Sequence, residues 1–177
     1  MKFDLNKSIE ILERTPGVIK ELLSGVSDDW SMQNEGKKGE EETWSPYDVL
    51  GHLIHGETTD WMGRTEIILS DNPDKNFPPF DRFAQFEESK GKSLKDLIGE
   101  FMAIRIYNLE KLKSKNITEA DLDKKGIHPK FGEVTLRQLI STWVVHDLNH
   151  LAQISRVMAY QYKDEVGPWR EYLRILK

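Results

Sequence analysis

A helical spacing of apolar residues recurs in four long segments of this 177-residue chain, and it favours an all-α fold. Few stretches show the polar–apolar alternation of half-buried strands. Helices of this length pack most readily as a four-helix bundle, so we expect a bundle with long inter-helix loops and a short C-terminal helix. The four long helices and the short one are predicted at residues 5–26, 46–69, 93–113, 136–162 and 169–176.

Proline and small polar residues mark where the predicted helices begin. Ser45 and Pro46 supply an N-cap and a first helical position for the second helix. Thr15 and Pro16 give the same signal inside the first segment, so we expect the first helix to be kinked or split there. Polar or glycine-containing stretches predict loops at residues 34–42, 72–91 and 126–132, with a short helical turn near residues 82–87.

The composition narrows the class of protein. The absence of cysteine excludes a disulfide framework, a cysteine-ligated zinc or iron–sulfur site and a cysteine nucleophile, and it fits a reducing cytosol. A net charge of −5 argues against nucleic acid as the main partner. No apolar run approaches the ~18–20 residues that span a bilayer, and the N-terminus lacks the apolar core of a signal peptide. We therefore expect one cytoplasmic domain over residues 1–177, with no membrane or nucleic-acid partner.

Two histidines lie four positions apart in the fourth predicted helix. His146 and His150 share one face about one turn apart, a spacing that lets both imidazoles reach a single metal ion. Together with Leu139, Trp143 and Ile154 they follow the steps of three and four that core residues normally occupy. Both histidines are therefore predicted to point inward.

The second predicted helix offers a third histidine. His52 lies on an inward row with Gly56 and Gly63, whose missing side chains are predicted to leave a cavity beside it. His55 is the less favoured alternative, and His128 is predicted in a surface loop, with the mouth of the cavity as its alternative. Three neutral imidazoles with one open position are typical of a catalytic metal site. Hydrogen-bonded core histidines or an exposed pair remain the competing interpretation.

The residues around the histidines indicate less. Asp147 follows His146 where a zincin would have glutamate, which argues against metalloprotease chemistry. Glu57 and Asp60, one to two turns beyond His52, are candidate proton-transfer or ligand-orienting groups, with a solvated or salt-bridged helix face as the alternative. The five tryptophans are spread over the chain and are predicted to be core or loop anchors rather than a ligand cage.

Four short segments match one known family in combination and in order. These are Trp44-Ser45-Pro46, Gly51-His52-Leu53, Phe131-Gly132-Glu133-Val134-Thr135-Leu136 and His146-Asp147-Leu148-Asn149-His150-Leu151-Ala152-Gln153. With them the sequence resembles the DinB-like family, also described as the DinB/YfiT-like metalloenzyme superfamily. The resemblance implies a four-helix bundle in which His52, His146 and His150 bind a divalent metal ion, zinc or nickel. It also favours His52 over His55, because leucine follows His52 as in the family.

The same resemblance implies an activity and partners. Characterised relatives include S-transferases and isomerases that use bacillithiol, mycothiol or glutathione. We therefore expect a metal-dependent enzyme that joins a low-molecular-weight thiol to a small electrophile, and the cysteine-free chain requires that thiol to come from outside. The alternatives are a metal-dependent hydrolase using bound water and a non-catalytic metal-binding or structural bundle. A homodimer is also implied, and the aromatic residues of the connection at 77–86 agree with it.

Overall fold

The computed structural model describes residues 1–38 and 41–177, most of them helical. In chain order the elements are α1 (Leu5–Leu23), α2 (Asp28–Met32), β1 (Lys37–Lys38), β2 (Glu41–Glu42), α3 (Pro46–Thr59), α4 (Trp61–Leu69), α5 (Ala84–Glu88), α6 (Leu94–Ser114), α7 (Glu119–Leu122), β3 (Lys125–His128), β4 (Gly132–Thr135), α8 (Leu136–Tyr160) and the 3₁₀ segments Gly167–Glu171 and Arg174–Leu176. Helix α1 packs on α6 and α8, and α3 packs on the same two helices. The predicted all-α bundle is confirmed. Among the described helices, none combines the length and apolar character that crossing a bilayer requires.

The apolar core consists of two clusters that follow one another along the bundle. One joins the first half of α1, α4, the second half of α6 and the first half of α8. The other joins the second half of α1, α3, the first half of α6 and the second half of α8. The first cluster includes Leu12, Trp61, Met62, Leu109, Leu112, Leu136, Ile140 and Trp143. The second includes Ile19, Leu23, Val49, Leu50, Leu53, Leu97, Phe101 and Ile154. Buried polar side chains fall between them on α3, α6 and α8.

This polar layer is centred on Arg105 of α6, whose side chain is 1% exposed. Its guanidinium donates to Glu57 Oε1 at 2.8 and 3.0 Å and to the two oxygens of Asp147 at 2.6 and 2.9 Å. Glu57 also accepts from Asn108 Nδ2 and from Trp143 Nε1, each at 2.9 Å. The layer therefore ties α3, α6 and α8 together through a hydrogen-bonded ionic network.

Of the two alternatives predicted at residue 15, a kink or a split, the split is wrong, because helix α1 is continuous over Leu5–Leu23. Thr15 Oγ1 donates to the carbonyl of Ile11 at 3.1 Å and does not cap a new helix. Pro16 lacks the N–H that would bond to the carbonyl of Leu12, and Arg105 Nη1 donates to that oxygen instead, at 2.8 Å. A buried side chain from another helix thus satisfies the acceptor that proline leaves open.

The second predicted helix is two helices, since the chain turns at Asp60 between α3 and α4. Its beginning is as predicted, with reciprocal hydrogen bonds between Ser45 and Asp48 forming a capping box. Thr58 and Thr59 donate their hydroxyls back to carbonyls of the preceding turn, at 3.0 and 2.8 Å. Such bonds bend helices, which gives a local reason for the break.

Two predicted loops contain strands. Strands β3 and β4 form an antiparallel hairpin within and beyond residues 126–132, and Ile127 also bonds to Lys75 and Phe77 of the long connection. In the segment 34–42, β1 pairs with β2, while residues 39 and 40 lie outside the described residues. Strands of two to four residues, rich in glycine and charged residues, are too short to show the polar–apolar alternation that predicts a strand. The predicted C-terminal helix is likewise replaced by the two 3₁₀ segments.

Candidate metal centre

Helices α3 and α8 bring three histidine side chains to one point. The Nε2 atom of His146 lies 3.1 Å from Nε2 of His52 and 3.1 Å from Nε2 of His150. One ligand atom from each of the three residues lies within 4.8 Å of the others. His52 and His150 are buried, and His146 is partly exposed. The histidine pair on α8 and the histidine on the inward row of α3 therefore meet in space.

The arrangement of ring nitrogens fits a shared cation. His150 Nδ1 donates to Gln153 Oε1 at 2.8 Å, so its Nε2 presents a lone pair to the cluster. A neutral imidazole has one N–H, so His146 cannot donate from Nε2 to both neighbours. Nitrogen ligands about 2.1 Å from one zinc ion in tetrahedral geometry lie roughly 3.4 Å apart, close to the separations here. The donor set therefore suits a divalent metal ion.

Aromatic packing holds the other two rings. The Nδ1 atoms of His52 and His146 are buried without a hydrogen-bond partner among the described residues. Trp44 and Phe80 lie against His52, with ring centroids 4.9 and 5.6 Å away, and Trp61 lies 5.1 Å from His146. These rings fix the imidazoles by contact, where many metal sites use a carboxylate or carbonyl acceptor.

Burial keeps the cluster neutral. Desolvation, with help from neighbouring histidines, lowers the pKa of His52 to about 3 and the pKa of His146 to about 2. Desolvation also lowers the pKa of His150. All three imidazoles are therefore uncharged at neutral pH, which is the form that binds metal ions.

A cavity of about 300 Å³ opens beside His146. Its apolar wall consists of Trp61, Phe77, Phe80, Phe131, Val134 and Leu139. Gly56 lines it, and a methyl group there would approach Trp61 Nε1 to 3.3 Å. Gly63 is exposed, so its predicted place beside the cavity is wrong. The turn at Asp60 interrupts the helical period and rotates the row that contained both glycines.

The two candidate carboxylates have different positions. The side chain of Glu57 is 0% exposed and belongs to the polar layer with Arg105, which leaves it no access to the cavity. Burial raises the pKa of Glu57, and the Arg105 ion pair opposes that rise. Asp60 lines the cavity and pairs with Arg64 Nη2 at 2.6 Å. Burial raises the pKa of Asp60, with Arg64 opposing.

The remaining histidines lie outside the cluster. His55 is buried, and its Nδ1 lies 2.9 Å from Glu88 Oε2. His128, at the end of β3, lines the cavity and stacks on Phe131 with ring centroids 4.6 Å apart. His128 therefore lines the cavity, which is the alternative prediction, and the predicted surface loop is not its position.

Sequence reasoning missed two contributions to the site. Trp44 and Trp61 pack against the histidine rings, so two of the tryptophans do more than anchor core and loops. Arg105 was missed as the centre of the polar layer. Arg105 lies one turn from both Phe101 and Leu109 on the apolar row of α6. A charged residue on an apolar row of a helix is itself a sequence signal of a buried charge.

Comparisons with known proteins agree with this architecture. The pattern of the DinB superfamily matches residues 11–154. One similar solved structure is YfiT from Bacillus subtilis, described as a probable metal-dependent hydrolase with an unusual four-helix bundle topology. It is 18% identical, covers 91% of this chain and 87% of its own, and superimposes with a TM-score of 0.72, a likeness of fold. A search of curated proteins finds no match. Because the DinB superfamily pattern matches most of this chain's length, the chain belongs to the DinB superfamily.

Proposed function

We propose that this chain is a divalent-metal-dependent enzyme that joins a small external thiol to an electrophilic substrate held in the aromatic cavity. The observation that carries the proposal is the place of His146, which belongs to the three-histidine cluster and also lines the cavity. A ligand site and a substrate-sized space therefore share one side chain.

The three histidines would hold the ion through Nε2, and Gln153 would keep His150 in the required tautomer. When bound, zinc or nickel supplies Lewis acidity that lowers the pKa of a thiol or water ligand. The aromatic wall binds the apolar part of the substrate and excludes bulk water.

Asp60, which is paired with Arg64, is our candidate for the group that takes the proton. It lines the same cavity as His146, and burial raises its pKa toward the range useful for proton exchange. The thiol proton passes to Asp60 Oδ, the sulfur forms a bond to the electrophilic carbon, and the leaving group departs with its electron pair. Asp60 then returns the proton to the leaving group or to solvent.

Hydrolysis is the second candidate, and the description of YfiT as a probable metal-dependent hydrolase favours it. The same residues serve, with water in place of the thiol. The water oxygen then forms a bond to the electrophilic carbon, the bond from that carbon to the leaving group breaks, and the leaving group receives the proton that Asp60 took from water.

Metal analysis of protein purified without a histidine tag tests the site. We expect close to one zinc or nickel ion per chain in the wild type and loss of it in His150→Ala. His55→Ala is the matched control, because His55 is an equally buried histidine outside the cluster. Unchanged metal content in His150→Ala would refute the ligand assignment.

Two assays on the metal-loaded chain then separate the reactions. Conjugation of 1-chloro-2,4-dinitrobenzene is followed with bacillithiol, mycothiol or glutathione, and hydrolysis of p-nitrophenyl acetate is followed with and without thiol. Thiol-dependent turnover that disappears in His150→Ala supports transfer. Turnover of the ester alone supports hydrolysis. Metal that raises thermal stability without either activity would support a structural role.

A further inference from the structure

Polar side chains other than His146 also line the cavity. Gln138, Thr142 and His146 of α8 line it on successive turns, so it extends about 12 Å along that helix. Arg64 of α4 and His128 of β3 line the same cavity as Gln138. The cavity is therefore about as long as a small molecule.

Arg64 is a buried cation with one donor, Nε–H, that has no hydrogen-bond partner among the described residues. The residue is 6% exposed, and its guanidinium contacts Asp60 through Nη2 and lies over the ring of Phe77 at 5.2 Å. Its Nε–H is buried without a hydrogen-bond partner in the described part of the chain. Native proteins seldom leave a buried charged group so incompletely bonded, and this favours a ligand that supplies acceptors.

Two further side chains that line the cavity also offer donors. His128 Nδ1 accepts the backbone N–H groups of Lys130 and Phe131 at 3.1 and 3.3 Å, so the neutral ring carries its proton on Nε2. Gln138 Oε1 accepts from the N–H of Thr135 at 2.9 Å, which leaves the amide NH₂ as its free end. Asp60, the carboxylate at this cavity, is already paired with Arg64.

We propose that a carboxylate group of the substrate binds in the cavity to Arg64 and to the Nε2–H of His128, with Gln138 lining the same cavity. This rests on the proposed function, because it names a feature of the substrate that reacts at the histidine end. A planar carboxylate matches the planar guanidinium and its N–H donors. A phosphate dianion would bring two charges to a site whose one arginine is already shared with Asp60.

Calorimetric binding of 3-phenylpropionate and 3-phenylpropionamide to the full chain tests the inference. The two probes differ in the charged end group, and both are measured with the zinc-loaded and the metal-free protein. We expect the wild type to prefer the carboxylate about tenfold in both states, as a charge-assisted hydrogen bond would give. Arg64→Met should abolish the preference and Arg64→Lys should reduce it, whereas the exposed control Arg170→Met should leave it unchanged.

A second variant covers the case in which Arg64→Met does not fold because Asp60 is left unpaired. His128→Phe retains an aromatic ring against Phe131, removes the N–H donor and is expected to weaken the preference severalfold. No preference in the wild type, or a preference that Arg64→Lys and His128→Phe both leave intact, would overturn the proposal. So would a preference seen only with zinc, since the carboxylate would then be binding the metal. A chain that binds no metal and has no activity would defeat the proposed function, yet it would leave the metal-free result for Arg64 standing.

Discussion

Replacing Arg105 by methionine removes the guanidinium that bridges Glu57 and Asp147 in the polar layer. Methionine fills much of the same volume and adds no charge. Both carboxylates have side chains that are 0% exposed, so neither gains access to water when the cation is lost. The carbonyl of Leu12 loses its hydrogen bond as well, because Pro16 has no N–H to offer in its place.

The expected cost follows from these losses. Breaking a buried ion pair by removing one partner costs about 3–5 kcal/mol, and an orphaned buried acceptor adds about 1–3 kcal/mol. We therefore expect the free energy of unfolding to fall by about 4 kcal/mol or more. A chain of this size loses about 2–4 °C in Tm per kcal/mol, so the Tm should fall by roughly 8–16 °C.

Thermal and urea unfolding followed by far-UV circular dichroism measure the effect. Lys113→Met is the matched control on the same helix, because its ion pair with Glu13 is about half exposed and should contribute less than about 1 kcal/mol. A triple variant that also carries Glu57→Gln and Asp147→Asn should recover part of the loss, since no buried charge then remains in the layer. A loss for Arg105→Met no larger than that for Lys113→Met would refute the reasoning.

Three further predictions follow from the site and the surface. Gln153→Leu should weaken zinc affinity about 10- to 100-fold in a competition titration, because His150 loses the acceptor that fixes its tautomer; unchanged affinity would contradict this. The metal-free chain should lose stability as the pH falls below about 6.5. His52 and His146 have folded pKa values of about 3 and about 2 against an ordinary value of 6.5, so the unfolded chain binds more protons there. Each extra proton bound by the unfolded chain lowers the free energy of unfolding by about 1.4 kcal/mol per pH unit. Urea midpoints that stay flat from pH 6.5 to 5 would contradict this prediction. We also propose a homodimer, and light scattering should give twice the 20.6 kDa of one chain; a monomer mass would refute it.

The inward direction of the three histidines could be predicted because the spacing that indicates it is local to each helix. His146 and His150 are one turn apart on one helix, the inward row of α3 contains His52, and the family resemblance favours His52 over His55. The polar layer could not be predicted, since it depends on how Arg105 meets two other helices. The continuity of α1 through Pro16 has the same cause, because the group that compensates for proline comes from α6. Local patterns indicate helices and their faces, whereas the partners of buried charges depend on tertiary packing.

The histidines that meet at the candidate metal centre come from distant parts of the chain. His52 and His146 are 94 positions apart, so their contact closes a long loop. Closing a loop of that length costs on the order of 4 kcal/mol in chain entropy. A chain without cysteine has no disulfide to hold such a loop closed, and an ion shared by α3 and α8 would act as its reversible cross-link. Loading would then slow unfolding as well as enable chemistry, and chelators would shorten the lifetime of the folded chain.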